Sequence, residues 1–299
     1  MRGRVTEKIK RDPSEIKQVF NEVTIKLQCC RYWILEEWEC KDLSVPFWRI
    51  YYNNIPGAQI CFNNIITELD KNKIVIIPPN TRFSTKLKEG KLNFESISGR
   101  KFRTGDNLST ISKENKVDHL FIHFSLGFPL DYVKTGINVI PCNDFTDQII
   151  SSIQHSCMDD TVFNFSECLT IKQLISFSIL QLQDNIWKFG NIDSRVFNSM
   201  YHIESHYKEK ITNEELAEKA NMAVNSFARL FKTTTGISVQ QHILKTRIEK
   251  SCDLMHHSNK TIDEIAFECG FSDRHHFSKI FKKVLNITPA YYKKHLTII

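Results

Sequence analysis

One unit is written twice near the end of this chain. Thr212 opens TNEELAEKANMAVNSFARLFKTTTGIS and Thr261 opens TIDEIAFECGFSDRHHFSKIFKKVLNIT. Laid over one another, Leu216-Ala217 falls on Ile265-Ala266, Ala220 on Cys269, Asn221 on Gly270 and Met222 on Phe271. One inserted residue then brings Phe227, Leu230 and Phe231 onto Phe277, Ile280 and Phe281. A repeat constrains the fold more than any single motif does, because both copies must satisfy the same local geometry with different side chains.

Each copy carries what two short helices and a tight turn require. Thr212 with Glu215, and Thr261 with Glu264, read as T-x-x-E capping boxes that open a first helix. Ala217 and Ala266 are small enough for a second helix to cross closely. Asn221 and Gly270 stand where the turn needs a positive φ, which those residue types tolerate. In the second helix the i, i+3, i+4 spacing of Phe227, Leu230, Phe231 and of Phe277, Ile280, Phe281 defines a buried face. The opposite face carries Asn225, Ser226, Ala228, Arg229 and Lys232 in the first copy, and Arg274, His275, Ser278, Lys279 and Lys282 in the second. Such a set suits a helix lying in the major groove of double-stranded DNA: Arg grips guanine with two bonds, Asn reads adenine, and Ala touches a thymine methyl. A merely solvated helix face is the alternative, and the duplication argues against it. Lys232, Lys282, Lys283, Lys293 and Lys294 are placed to neutralise phosphates.

Between the copies, SVQQHILKTRIEKSCDLMHHS reads as one helix capped by Ser238, with Val239, Ile243, Ile248 and Leu254-Met255 on its apolar side. About 18 residues at 1.5 Å each give roughly 27 Å, comparable to the 34 Å between successive major-groove faces. The chain is mildly basic, +6 overall, and from Phe197 onward 15 Lys and Arg face 11 Asp and Glu. That excess alone supports nucleic-acid binding only weakly.

The amino-terminal part reads differently. Over residues 20 to 140 the runs FWRIYY, NNIPGAQICF, KIVIIPPNTRF and DHLFIHFSLGFP are separated by Pro and Gly turns, which predicts short strands in a sandwich or jelly roll. ECLTIKQLISFSILQLQDNIWKFG predicts a helix with an apolar stripe through 171, 174, 175, 182 and 186, widened by Phe177 and Leu180. A face that broad packs inside the first domain or joins a dimer interface. The resulting fold class is α+β with two domains. A polar arm covers 1–19, a β domain 20–165, a helical connector 166–194, and an all-α domain of two helix-turn-helix units joined by a linker helix 195–299. His119 and His123 share one strand face but sit about 13 Å apart along it, too far to chelate one ion. No metal site, cofactor or catalytic residue is therefore expected. Nine cysteines show no C-x-x-C pair. Reduced thiols are the plain reading, and the adjacent Cys29 and Cys30 leave a redox role open. The basic, polar amino terminus and the lack of a long apolar run point to a cytoplasmic protein with no membrane partner.

Over residues 195 to 296 the chain resembles the AraC/XylS family of bacterial transcription regulators, through LAEKANM, FARLFK, Arg247 with Leu254-Met255, IDEIAFECGFSDRHHFSKIFKK, and Thr288-Pro289 before Tyr291-Tyr292. The resemblance implies that the second helix of each unit reads DNA, at Asn225, Ala228 and Arg229 and at Arg274, His275, Ser278 and Lys279. It also implies a structural role for Arg247. Three positions depart from the family pattern: Ala223 where a capping serine is common, Asn286 for a glycine, and Ser251 for an alanine. Asn225 or Ser226 is expected to supply the missing cap, and Asn286 tolerates a left-handed one. The β region resembles the family's cupin-like sensor domains more loosely. It implies an activator that meets RNA polymerase and answers to a small-molecule effector. The four tryptophans (33, 38, 48, 187) offer either an aromatic floor for a sugar-like ligand or ordinary core. A domain that only forms a homodimer, and a metal-dependent cupin enzyme fused to a DNA-binding domain, stay open as alternatives.

Overall fold

The computed structural model describes residues 23–87, 96–159, 162–188, 192–285 and 287–295. The arm over 1–19 and Asn286 lie outside them. The β domain contains β1 (Lys26–Leu43), β2 (Trp48–Tyr52), β3 (Ala58–Phe62), β4 (Ile65–Glu68), β5 (Lys73–Ile77), β6 (Phe83–Leu87), β7 (Ser96–Lys101), a short helix α1 (Leu108–Lys113), β8 (Val117–Ser125) and β9 (Asn138–Pro141). They pair in the order β4-β3-β6-β1-β8-β2-β5-β9, with β7 also on β1. Every pairing is antiparallel.

β1 is the spine of this half-barrel. It runs along β8 from Lys26 to Leu35, along β7 from Trp33 to Glu39, and reaches β6 at Cys40 and Leu43. Its register slips between Leu27 and Cys29, between Leu35 and Glu37, and between Cys40 and Leu43. Such irregularities bend a strand and raise its twist, which lets one long strand leave one layer and enter the next. β8 is buried on both faces almost throughout, which explains its near-continuous apolar run. On one face His119 meets Trp38 and Tyr51, Phe121 lies against both His119 and His123, and His123 meets Phe47. On the other, Asp118 accepts from the Tyr32 hydroxyl at 2.9 Å and from the backbone N–H of Asn54 and Ile55 at 3.0 and 2.7 Å.

The helices that follow are α2 (Asp144–Asp159), α3 (Phe165–Leu180), α4 (Ser194–His206), α5 (Asn213–Lys219), α6 (Val224–Thr235), α7 (Val239–His257), α8 (Ile262–Glu268), α9 (Arg274–Leu285) and α10 (Pro289–His295). α3 is shorter than its sequence stripe suggests. Ile171, Leu174 and Ile175 are buried as expected, but the helix ends at Leu180, whose side chain is 80% exposed, and Ile186 belongs to a separate short turn. Gln181 and Leu182 hydrogen-bond back only three residues, which unwinds the helix before the stripe is complete.

Among the described residues two hydrophobic cores result, and the division falls within α7. One runs from the barrel through α2 and α3 into the far half of α7, including Ile248, Cys252 and Met255, and on to α8, α9 and Tyr292 of α10. The other joins α4, α5 and α6 to Val239 and Ile243 at the near end of α7. The linker helix is thus gripped by the β domain as well as by both repeats. At this seam Phe47 packs its ring 4.9 Å from His123, 5.1 Å from His256 and 4.9 Å from His257. His123 Nδ1 lies 3.3 Å from His257 Nε2, and Gln28 donates to the Asp253 carboxylate.

The tryptophans serve packing. Trp38 and Trp48 are buried, Trp48 donates to Asp131 at 2.8 Å, and its ring stacks on Phe124. A cavity of about 460 Å³ opens at the seam, and none of the four lines it. Of the two readings, ordinary core fits these positions: Trp38 and Trp48 are buried, and Trp33 and Trp187 pack against the same core.

Candidate nucleic-acid interface

In each repeat a short helix, a turn and a longer helix are fixed by the residues that define the repeat. α5 and α8 begin at Thr212 and Thr261, whose hydroxyls accept from the N–H of Glu215 and Glu264. The reciprocal half of the box forms only in the second unit, where the Glu264 carboxylate accepts from the Thr261 N–H at 2.7 Å. In the first unit Glu215 lies 2.9 Å from His202 Nε2 on α4 and 3.5 Å from Lys219 Nζ. This corrects the expectation of two complete boxes: a tertiary partner on α4 has taken the carboxylate.

The turns are near-copies. Asn221 has φ 51° and Gly270 φ 81°. Met222 N–H donates to Ala217 O, and Phe271 N–H donates to Ala266 O, which closes the helix ends with left-handed residues. Glycine is demanded only in the second unit. A Cβ at 270 would sit 2.6 Å from the Lys208 carbonyl oxygen, whereas Asn221 is exposed.

The crossing helices α6 and α9 bury Phe227 and Phe231, and Phe277 and Phe281, completely. The proposed reading residues lie on the opposite side. Asn225, Ser226, Arg229, Lys232, Arg274, His275, Lys279 and Lys282 are exposed, and Ala228 and Ser278 are half-buried. Among the described residues, no ion pair holds Arg229, Lys232, Lys279 or Lys282. Arg274 is tethered to Asp263 at 2.9 Å, a surface pair that a phosphate or base can displace cheaply. Lys293 differs from the sequence expectation: its ammonium donates to the Lys260 carbonyl and closes the end of the second unit.

The starts of α6 and α9 differ in strength. Asp273 accepts from the His276 N–H at 2.7 Å, which holds its carboxyl below the usual range and caps α9. Ala223 caps α6 with no side-chain acceptor, and neither Asn225 nor Ser226 replaces it. Its backbone, φ −65° and ψ 141°, is already extended as a cap requires. Ala223→Ser should therefore stabilise the protein by about 1 kcal/mol in thermal or denaturant unfolding. An unchanged midpoint would mean that the α6 amino terminus gains nothing from a side-chain acceptor.

Arg247 makes three bonds to two chain segments. From α7, Nε donates to Tyr207 O at 2.6 Å, Nη1 to Gly270 O at 2.6 Å and Nη2 to Glu209 O at 2.8 Å. It ties the end of α4 to the turn of the second unit, so both units are indexed to one point on the linker. The implied structural role thus has a geometric basis. The sequence does not reveal the seam residues Phe47, His123, His256 and His257. They come from elements more than 70 residues apart, and no local periodicity marks them.

Residues 216–295 match the model of a helix-turn-helix domain family. The HTH-type transcriptional activator RhaS of Mannheimia succiniciproducens is 28% identical over 146 residues, covering 49% of this chain and 53% of the relative. RhaS of Salmonella newport is 32% identical over 99 residues, covering 33% and 36%. The chain thus spans about half the length of the first relative and a third of the second. A solved structure of ToxT from Vibrio cholerae shares the architecture at a TM-score of 0.52 and 13% identity, over 90% of this chain and 98% of that one. ToxT bound to (E)-4-(8-methylnaphthalen-1-yl)but-3-enoic acid superposes at 0.53 with 14% identity, over 91% and 100%. At such identity the likeness concerns the fold: a β half-barrel ahead of helices. Residues 216–295 thus form a helix-turn-helix domain of that family, similar to the corresponding part of the RhaS activators, and the β domain before it shares the fold of ToxT.

Proposed function

We propose that this protein is a sequence-specific transcription regulator of the AraC/XylS type, not an enzyme, that binds double-stranded DNA through α6 and α9. The observation that carries this reading is the pair of equivalent helices, each with unpaired cations and donors outward and phenylalanines inward, joined by one uninterrupted helix. α7 has 19 residues and a complete capping box between Ser238 and Gln241, and it contains no Gly or Pro. It acts as a rigid spacer of about 28 Å. Activation at promoters, with contact to RNA polymerase, is supported by the RhaS relatives being named transcriptional activators. The protein works in the cytoplasm; among the described residues no helix is long and apolar enough to cross a membrane.

The test is selection of duplexes from a random pool, followed by spacing variants of the selected site. Inserting about 5 base pairs between the half-sites rotates one of them half a turn away and should weaken binding at least tenfold. Inserting about 10 restores the face but adds roughly 34 Å, which a rigid helix cannot cover, so affinity should stay low. Recovery with the longer insertion would show a flexible tether.

Reading and positioning residues should separate by substitution. Arg229→Ala is expected to cost about 1–3 kcal/mol on the preferred site and to relax preference at one base pair. Lys282→Ala should weaken all sequences alike and reduce the salt slope by about 1. The reverse pattern in competition assays would exchange their roles.

The β domain is proposed to bind a small-molecule effector. A second reading, self-association, is favoured by one observation: Phe165, Leu169 and Leu180 leave an exposed apolar side on α3. A homodimer through that face should dissociate in sedimentation experiments on Leu180→Asp, and a monomeric parent protein would remove the reading.

A further inference from the structure

Adjacent cysteines on a strand point to opposite faces, so Cys29 and Cys30 are poor partners for one another. The structure gives Cys30 a different neighbour. Its Sγ lies 3.6 Å from Sγ of Cys157, in the last turns of α2, which packs on β1. Both thiols are free. A disulfide needs about 2.05 Å between sulfurs, so closure asks for about 1.5 Å of approach.

The pair is also reachable. Cys30 lines a cavity of about 410 Å³ between β1, α3 and the end of α7, together with Cys29, His256 and His257. Cys157 lies buried behind it. Cys168 on α3 lines the same cavity, but its thiol is directed to the Phe163 carbonyl at 3.8 Å. One cysteine therefore lines the cavity while its sulfur partner is buried away from it, as an attacking and a resolving cysteine would be arranged.

We propose that Cys30 and Cys157 form a reversible dithiol–disulfide pair, oxidised by a peroxide that enters through this cavity. The Cys30 thiolate attacks one peroxide oxygen, the O–O bond breaks, and a sulfenic acid forms as water leaves. The Cys157 sulfur then attacks the sulfenic sulfur, the S–O bond breaks, and a second water carries away the thiol proton. Two thiols are oxidised to one disulfide and one peroxide is reduced to two waters. An external dithiol reverses the reaction.

The surroundings set a threshold. The hydrogen bond to Cys157 and burial hold the Cys30 thiol well above its ordinary pKa, and Cys29 and Cys168 beside it act in the same direction. The thiolate is scarce at neutral pH, so the pair stays reduced against weak oxidants and reacts faster as pH rises. The strand that carries Cys30 also carries Gln28, which donates to Asp253 of α7. The redox state of residue 30 is thereby linked to the seam that holds the linker helix. This inference is independent of the DNA-binding reading.

The test uses the full chain, treated with hydrogen peroxide at pH 7.5 and 8.5, blocked by alkylation and mapped by mass spectrometry without reduction. The expected product is an intramolecular Cys30–Cys157 link, formed several-fold faster at pH 8.5 and removed by dithiothreitol. C30S and C157S should each abolish it, while C29S and C168S retain it. A Cys29–Cys30 or Cys30–Cys168 link, or over-oxidation of Cys30 with no link, would overturn the assignment, as would survival of the link in C157S.

Discussion

Acidification from pH 7.5 to 5.5 is expected to remove about 4 kcal/mol of folding stability. Burial pushes His119 down to about 3 and His242 to about 4. Burial also holds His123 and His256 well below the usual imidazole value, and the Arg49 cation adds to the effect on both. In the unfolded chain each returns to about 6.5. The folded state therefore excludes a proton that the unfolded state takes up, so the stability is complete above pH 6.5 and is lost as the pH falls. Four such groups contribute about 5 kcal/mol over this interval at 1.36 kcal/mol per pH unit. Asp131 works in the opposite sense: burial raises it to about 6 despite its bonds from Trp48, Leu126 and Gly127, and it returns roughly 1 kcal/mol as it protonates. Glu249 is raised by burial too and acts in the same direction as Asp131.

Urea unfolding at pH 7.5, 6.5 and 5.5 measures this directly. Because two of the histidines meet at the seam, the loss should appear first as detachment of α7 from the β domain, visible as hydrogen exchange around Phe47 and Asp253. His123→Gln and His256→Gln should each flatten the pH profile. A midpoint constant from pH 7.5 to 5.5 would mean that these imidazoles are protonated in the folded protein.

Arg247→Ala should cost about 4 kcal/mol and uncouple the two helix-turn-helix units. The guanidinium supplies one charge-assisted bond to each of three carbonyls, each worth about 1.5–3 kcal/mol when one partner is charged. Part of that is recovered when water reaches the freed carbonyls. Arg247→Lys keeps the charge but places one compact ammonium where three separated carbonyls need a planar fork, so it should recover no more than about a third of the loss. Unfolding curves for both variants give the magnitude, and the spacing duplexes give the coupling: the alanine variant should lose its sensitivity to the 5-base-pair insertion. If lysine restores full stability, Arg247 acts through its charge alone.

The repeat made most of the carboxy-terminal third legible, because helix starts, turns and buried stripes are local properties. Thr212 and Thr261 cap as read, Asn221 and Gly270 take positive φ, and the paired phenylalanines are buried. The differences arose where a distant group competed for a side chain or where the backbone left the helix early. Glu215 left its capping box for His202, Lys293 left the phosphate-facing set for the Lys260 carbonyl, and α3 stopped before its stripe ended. In the β domain FWRIYY and DHLFIHF announced strands, but the bulges that let β1 serve three partners follow from closure of the half-barrel.

The sequence by itself determined two helix-turn-helix units, their outward residues Asn225, Arg229, Lys279 and Lys282, and the continuous helix between them. All of these follow from 3.6-residue periodicity and capping chemistry within a few turns of chain. Only the tertiary structure decided that Cys30 faces Cys157 rather than Cys29, that Arg247 ties two segments to the linker helix, and that Phe47 and three histidines bind the β domain to the linker. Those pairings join residues separated by between 23 and 210 positions, and no local pattern encodes which distant surface a buried side chain will meet.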